Sequence, residues 1–275
     1  MKVGVIGTGN MGSILIASFI DSLAVKPSQL KITNRTIDKA YNLKKLYPDL
    51  EVTTNSNDVV QGSDIIFICV KPLEFHSLLE GLKSQIKDHQ LVVSITSPVT
   101  VSELESVLSC NVARVIPSIT NRALSGASLI TFGSSCTQRQ RNSLLDLMAH
   151  VSTPIKIEEN VTRVSSDITS CGPAFFSYIV QRFIDGAVEE TEISREQATV
   201  LASEMLIGMG KLLEKEFYSL ATLQEKVHVK GGVTGEGLSV LEEEIGDLFN
   251  HLFQKTHLKY DEDREKVSEQ FHLEA

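Results

Sequence analysis

Gly7-Thr8-Gly9-Asn10-Met11-Gly12 leaves the surrounding chain little choice of fold. A short β-branched run, Lys2-Val3-Gly4-Val5-Ile6, comes immediately before it and reads as a buried strand. Ile14, Leu15, Ala17, Phe19, Ile20 and Leu23 then recur at helical spacing up to Pro27. Within a strand–G-x-G-x-x-G–helix unit the glycines have separate tasks. The first makes the tight turn, the second admits a pyrophosphate close to backbone, and the third lets helix and strand pack together. N–H groups at the helix start face the anion along the helix dipole. A merely tight strand-to-helix turn is the other reading of the same glycines. The second strand at Leu30-Lys31-Ile32-Thr33 completes the context and favours nucleotide binding.

At the end of that second strand an Asp or Glu would accept the ribose 2′-hydroxyl of NAD. This chain has Asn34-Arg35-Thr36 instead. A guanidinium, an amide and a hydroxyl suit a 2′-phosphate, which a carboxylate would repel. NADP is therefore the expected cofactor, and NAD the less favoured one. The competing reading makes Arg35 a solvated surface residue and Thr36 only a helix N-cap.

A chain of 275 residues can bury a substantial core as one large domain or two ordinary ones. Its 42% hydrophobic and 22% charged content is that of a globular protein in water, and its net charge of −9 argues against nucleic-acid binding. Cys69, Cys110, Cys136 and Cys171 have neither C-x-x-C nor metal-ligand spacing, so no metal is expected, and Cys69 reads as inert core. The sequence shows no signal-peptide pattern and no run of about twenty apolar residues, so a cytoplasmic protein away from membranes is expected.

Short apolar runs alternate with amphipathic segments as far as residue 157. Strands are expected at Ile65-Ile66-Phe67-Ile68-Cys69-Val70, Leu91-Val92-Val93-Ser94-Ile95, Val112-Ala113-Arg114-Val115-Ile116, residues 128–132 and residues 154–157. Helices are expected before Pro48, over 73–86, over 101–108 and over 138–150. This alternation predicts a doubly wound parallel sheet, an α/β dinucleotide-binding (Rossmann) domain spanning residues 1–157. From residue 158 to 275 no strand is expected. Long helices are predicted over 174–190 and 196–215, with a third carrying Leu238, Leu241, Ile245, Leu248, Leu252 and Phe253. The second is apolar almost all round, so this all-α half is expected to form a homodimer, with higher assembly left open. The charged tail from Tyr260 reads as a frayed helix end or disordered chain.

His76, His89, His150, His228, His251, His257 and His272 are scattered and form no catalytic pattern. Two small-residue stretches are more informative: Thr169-Ser170-Cys171-Gly172-Pro173-Ala174, and Lys230-Gly231-Gly232-Val233-Thr234-Gly235-Glu236-Gly237. Each is placed to open a helix, where backbone donors could hold a small anionic substrate; ordinary helix-joining turns are the alternative.

These stretches, with the amino-terminal glycine loop, Val70-Lys71-Pro72, Arg114-Val115-Ile116-Pro117, Cys171-Gly172-Pro173-Ala174 and Gly231-Gly232-Val233-Thr234, stand in the order and spacing of the pyrroline-5-carboxylate reductase family. The chain resembles that family along nearly its whole length, and most resembles a reductase-like branch encoded beside late competence genes in spore-forming bacteria. The resemblance implies hydride transfer from a nicotinamide to C5 of a cyclic imine, giving proline. It implies that Thr234 hydrogen-bonds the ring nitrogen and that N–H groups near Gly231 and Gly232 hold the carboxylate. Val70, Lys71 and Pro72 would line the nicotinamide side, with Ile95 and Pro117 as neighbours, and the helical halves would form an interleaved dimer. Thr169, Cys171, Gly172, Gly231, Gly232, Val233 and Thr234 form the candidate set for a small imino acid, and Thr234 is the catalytic candidate.

The departures lie on the substrate side. The family's Ser-Gly-Ser-Gly-Pro-Ala stands here as Thr169-Ser170-Cys171-Gly172-Pro173-Ala174, and its Met-Pro-Asn-Thr-Pro-Ala as Ile116-Pro117-Ser118-Ile119-Thr120-Asn121. Lys230 replaces a proline, Ser97-Pro98 replaces Ala-Gly, and Gln181 replaces a glutamate. The leading expectation is an NADP-dependent imine reductase. The alternative is a reductase-like nucleotide-binding regulator with weak or no turnover, linked to competence. A hydroxyacid dehydrogenase ranks last, since it would need a helix lysine that residues 161–180 lack.

Overall fold

A computed structural model describes residues 1–271; His272 lies outside them. Eight strands form one sheet: β1 (Val3–Ile6), β2 (Leu30–Thr33), β3 (Glu51–Val52), β4 (Ile65–Ile68), β5 (Leu91–Ser94), β6 (Asn111–Ile116), β7 (Ala127–Phe132) and β8 (Thr153–Lys156). Between them run α1 (Asn10–Asp21), α2 (Ile37–Leu46), α3 (Ser56–Gln61), α4 (Phe75–Leu82), α5 (Val101–Val107) and α6 (Gln138–Ala149). Then come α7 (Thr162–Ser166), α8 (Gly172–Glu190), α9 (Arg195–Glu214), α10 (Leu220–Val227), α11 (Val233–Ile245) and α12 (Leu248–Phe271).

The strand order is β3-β2-β1-β4-β5-β6-β7-β8. Side chains alternate across a strand, so one apolar run feeds two cores. Ile65 and Phe67 of β4 join Val3, Val5, Phe19 and Leu15 on one face. Ile66 and Ile68 join Phe75, Leu79, Leu104 and Val59 on the other. The doubly wound expectation holds with one correction. β7 runs antiparallel to β6, pairing Val115 with Ile130, while the other pairings are parallel. The connection over residues 117–126 holds only a 3₁₀ turn, Ile119–Ala123. A parallel return needs a crossover of a dozen or more residues. The two-residue edge strand β3 and the short helix α3 escape a sequence reading because each is too short to show a period.

The chain packs as two compact units, Met1–Pro173 with the chain from Lys255 onward, and Ala174–Gln254. The sequence division at residue 157 thus meets a packing division at Pro173, and the chain's end returns to the first unit. That return corrects the expectation of a frayed or disordered tail. Val267 and Phe271, one helical turn apart on α12, are buried in the core beside α4 and α5. Arg264 donates to both oxygens of the buried Glu103 carboxylate at 2.8 Å and to the Pro98 carbonyl. The Tyr260 hydroxyl donates to the Ser97 carbonyl at 3.3 Å, and burial pushes its pKa up. One of the tail's charges, that of Arg264, is therefore a partner for buried groups elsewhere in the chain. A one-dimensional reading sees it only as solvated.

The long stripe from Leu238 to Phe253 forms two helices, because Gly246 takes a φ of +40° and ends α11. Within the second unit Ile184, Ala198 and Ala202 form a small core with Val180, Val188 and Ile193. Phe176, Tyr178, Phe183, Val200, Leu201 and Ile207 remain exposed on α8 and α9. Among the described residues no helix is long and apolar enough to cross a membrane.

Removing Arg264 would leave the buried Glu103 carboxylate its bonds from Thr100 but take away the cation that faces it. Arg264→Ala is expected to lower unfolding stability by about 3–5 kcal/mol, the scale for breaking a buried pair from one side. A urea titration checks this, and a loss below about 1 kcal/mol, the worth of an exposed pair, would show that the contact is dispensable.

Candidate functional site

A reversal of strand order leaves a crevice at the carboxyl ends of the strands, and the reversal here falls between β1 and β4. A groove of about 670 Å³ lies there, lined by Ile6, Gly7, Gly9, Thr33, Asn34, Arg35, Val70 and Lys71, among others. A hollow of similar size, about 700 Å³, lies near Asp64, Leu91 and Asn111 at the amino ends of β4 to β6, and it holds none of the motif residues.

The three loop glycines differ in what a side chain would meet. Gly7 has φ +101°, and a Cβ there would lie 2.4 Å from the Cys69 carbonyl oxygen. At Gly12 a Cβ would lie 2.1 Å from the carbonyl oxygen of Gly7. At Gly9 it would meet nothing within 4 Å. Gly7 and Gly12 thus serve the packing of strand against helix, while Gly9 leaves open space in the groove wall. Gly9 is also the N-cap of α1 and supplies no side-chain cap, so the first-turn N–H groups of Asn10 and Met11 lack a side-chain acceptor. The buried hydroxyl of Thr8 has no partner. Open space, uncapped donors and an unsatisfied hydroxyl together fit the pyrophosphate of a dinucleotide.

Asn34 has a different place from that expected of a phosphate ligand. Its Oδ1 accepts from the Thr8 backbone N–H at 2.9 Å, and its Nδ2 donates to the Thr36 carbonyl at 2.9 Å. The amide therefore braces the glycine loop against the end of β2. Arg35 is exposed, Thr36 is the N-cap of α2 without a side-chain bond, and Lys39 lines the same groove. Lys39 escapes the sequence reading because it belongs to no motif; only the first turn of α2 carries it to the groove. Val70, Lys71 and Pro72 follow β4, and Pro72 starts a 3₁₀ turn that leads into α4. Ile95 follows β5, half-buried beside the first core.

Thr169, Cys171 and Gly172 require a correction. They do not precede a helix; they lie inside one. α7 runs into a π turn over Asp167–Cys171 and straight on into α8. Pro173 has no N–H, and its ring would crowd the Thr169 carbonyl in a regular α-helix, a conflict that a widened turn relieves. No helix start faces an anion there. The π turn instead binds inward: Ser170 donates to the Pro117 carbonyl at 2.9 Å, and Thr169 to the Ser165 carbonyl at 2.9 Å. Buried Asp167 accepts from Arg163 at 2.7 Å and from Thr256 at 2.7 Å. Cys171 lies 3.4 Å from the Arg163 guanidinium, yet burial outweighs that charge and raises the thiol's pKa. Cys69 is likewise raised by burial. Neither is poised as a thiolate nucleophile.

In the second unit, Gly231 has φ +74°, and Gly232 is the N-cap of α11 without a side-chain cap. Val233 is exposed and Thr234 is half-buried in the first turn. This stretch does open a helix, as its glycines imply. Among the described residues no group of His, Cys, Asp and Glu is arranged to hold a metal.

Residues 159–263 match the family model described as pyrroline-5-carboxylate reductase dimerisation, and residues 2–98 that described as NADP oxidoreductase coenzyme F420-dependent. The chain is 54% identical over 273 residues to ComE operon protein 4 of Bacillus subtilis (strain 168), covering 99% of this chain and 100% of that one. It is 30% identical over 272 residues to pyrroline-5-carboxylate reductase 3 of the same organism, covering 98% and 99%. A Plasmodium falciparum pyrroline carboxylate reductase with NADP bound shares the fold, with a TM-score of 0.80 at 21% identity over 98% of both chains. A Coxiella burnetii pyrroline-5-carboxylate reductase does so with 0.82 at 23%, again over 98% of both.

The glycine geometry separates binding from folding. Gly9→Ala is expected to fold with stability within about 1 kcal/mol of the parent, the ordinary helix-end cost, but to lose dinucleotide affinity. Gly12→Ala is expected to destabilise the fold by about 1–3 kcal/mol through overpacking. Thermal melts beside nucleotide titrations check both, and equal losses of stability would contradict the assignment.

Proposed function

The chain belongs to the pyrroline-5-carboxylate reductase family, and on that premise we propose that it is an NADPH-dependent reductase of pyrroline-5-carboxylate or a closely related small imino acid. The observation that carries the cofactor half is the cradle at Gly9: room for a phosphate, uncapped N–H groups and the unpartnered Thr8 hydroxyl. The relative with NADP bound supports the same cofactor. When bound, NADPH would supply the hydride, which added to C5 of the protonated imine (the iminium) gives the amine.

The chain's own part is placement. Gly7, Thr8, Gly9, Asn10, Met11 and Gly12 seat the pyrophosphate on backbone donors. Arg35 and Lys39 take the 2′-phosphate, Arg35 with a planar fork that matches it. Asn34 keeps the loop in shape, and Val70, Lys71, Pro72 and Ile95 border the nicotinamide. Gly231, Gly232 and Val233 offer N–H groups to the substrate carboxylate, and the Thr234 hydroxyl bonds the ring nitrogen. An iminium is already electrophilic, so holding it in line with the hydride does most of what catalysis requires. Thr169, Cys171 and Gly172 act through the shape of the π turn.

A second reading is a nucleotide-binding regulator with little turnover. It is favoured by the relative named ComE operon protein 4, a name that states no reaction, and by Cys171 and Lys230 where the reductase pattern has serine and proline. NADPH oxidation measured with pyrroline-5-carboxylate separates the two. Thr234→Ala is expected to lower turnover roughly ten- to a thousandfold, as loss of one bond to a reacting polar group would, with NADPH affinity unchanged. Should the unmutated chain bind NADPH and reduce no cyclic imine, the regulator takes the enzyme's place.

The same premise makes the helical half a homodimer surface. Its exposed apolar residues, Phe183 and Leu201 among them, are too many for an isolated unit in water. Leu201 is 62% exposed in the single chain, so a charge there strains only an interface. Leu201→Asp is expected to give a folded monomer or a dimer weakened at least about a hundredfold, the cost of burying one unpaired charge. Sedimentation reads this, and an unmutated chain that is monomeric at micromolar concentration would contradict it.

A further inference from the structure

Arg35 follows β2 and Glu74 ends the 3₁₀ turn before α4, so the two stand on separate loops at the mouth of the nucleotide groove. Their side chains meet there, Arg35 Nη1 to Glu74 Oε1, at 2.8 Å. The guanidinium is 83% exposed and the carboxylate 38%. A pair so open to water contributes little to stability, and the fold does not need it. The remaining charged residues that line the groove, Lys39 and Lys71, are cationic. Glu74 is the one carboxylate among the charged lining residues, and it sits on the cation that best suits a 2′-phosphate.

We propose that Glu74 is a cofactor-selecting residue, whose carboxylate holds the guanidinium of Arg35 and must yield it to an incoming 2′-phosphate. This rests on the reading of Arg35 given under Proposed function. A dinucleotide carrying the 2′-phosphate displaces the carboxylate from Arg35 and then holds a dianion close to it. One lacking the phosphate leaves the Arg35–Glu74 pair intact. Glu74 therefore taxes NADPH and spares NADH, and the chain's preference for NADPH is smaller than its three groove cations alone would set. Both effects are electrostatic and lie at an exposed site, so added salt should weaken them. The competing role for Glu74, accepting the ribose 2′-hydroxyl of NADH as an acidic residue after β2 commonly does, has the opposite consequence for NADH.

The test is equilibrium titration of the full chain and its Glu74→Gln variant with NADPH, NADH, adenosine 2′,5′-bisphosphate and AMP. Glu74→Gln is expected to bind NADPH and the bisphosphate about five- to twentyfold tighter, the range for relieving one exposed like-charge contact and one ion-pair exchange. NADH and AMP should change by less than about twofold, and the gain should shrink as salt is raised. Glu74→Asp keeps the charge and should retain most of the parent's preference. In an Arg35→Ala background the gain from Glu74→Gln should shrink to its like-charge part, since no guanidinium remains to compete for. Unchanged NADPH affinity in Glu74→Gln, or weakened NADH, overturns this inference and leaves the cofactor reading standing. Undiminished NADPH affinity in Arg35→Ala alone overturns the reading of Arg35 and this inference together.

Discussion

A methyl group on residue 12 would lie 2.1 Å from the carbonyl oxygen of Gly7. That close approach is the constraint on which the first unit depends. It sets α1 against the end of β1, where the glycine turn lies close to the Cys69 carbonyl beside the hydrogen-bonded ladder of β1 and β4. The groove opens at the same place because the strand order reverses there. Packing and the proposed cofactor site therefore share one set of residues. Gly7 and Gly12 have no room for a side chain, while Gly9 has room that the fold leaves open.

Charge is handled in two ways. Inside, Arg114 is fully buried on β6, holds both oxygens of Glu159 at 2.8 and 2.9 Å, and donates to Thr162 and the Ser97 carbonyl. Arg264 does the same for Glu103 from the far end of the chain. These pairs tie the segment after β5 to the start of the helical run and to α12, and a buried charge with several partners favours one arrangement over others. At the groove mouth the pair of Arg35 and Glu74 is exposed and exchangeable. The difference lies in the cation: Arg114 is buried and Arg264 mostly so, while Arg35 is open to water, although the carboxylates of Glu159 and Glu74 are similarly exposed.

The second unit is organised by what it leaves uncovered. Ile184, Ala198 and Ala202 make a core too small for helices this long, and large apolar side chains on α8 and α9 face water. A family model described as a dimerisation domain covers most of these helices, which accounts for an apolar pattern that one chain cannot bury.

The sequence alone determined the features that rest on local rules. Gly7, Gly9 and Gly12 could be assigned separate tasks because a turn, a close approach and a helix packing contact each demand a residue without Cβ. Two-faced burial of β4 was legible because a continuous apolar run has no polar side to offer solvent. The helix start after Gly231-Gly232 followed from small residues ahead of a periodic stretch. What only the tertiary structure decided involves partners distant in sequence. The antiparallel turn of β7 depends on how far a short connection can reach. The π turn at Asp167–Cys171 depends on Pro173 meeting carbonyls already fixed by a helix that began earlier. The tail from Tyr260 is polar by composition, yet it docks because Glu103, Ser97 and Pro98 await Arg264 and the Tyr260 hydroxyl. Asn34 turned inward, and Glu74 came to Arg35, for the same reason: hydrogen bonds and ion pairs are chosen by distance in space, and distance in space is what a one-dimensional pattern does not hold.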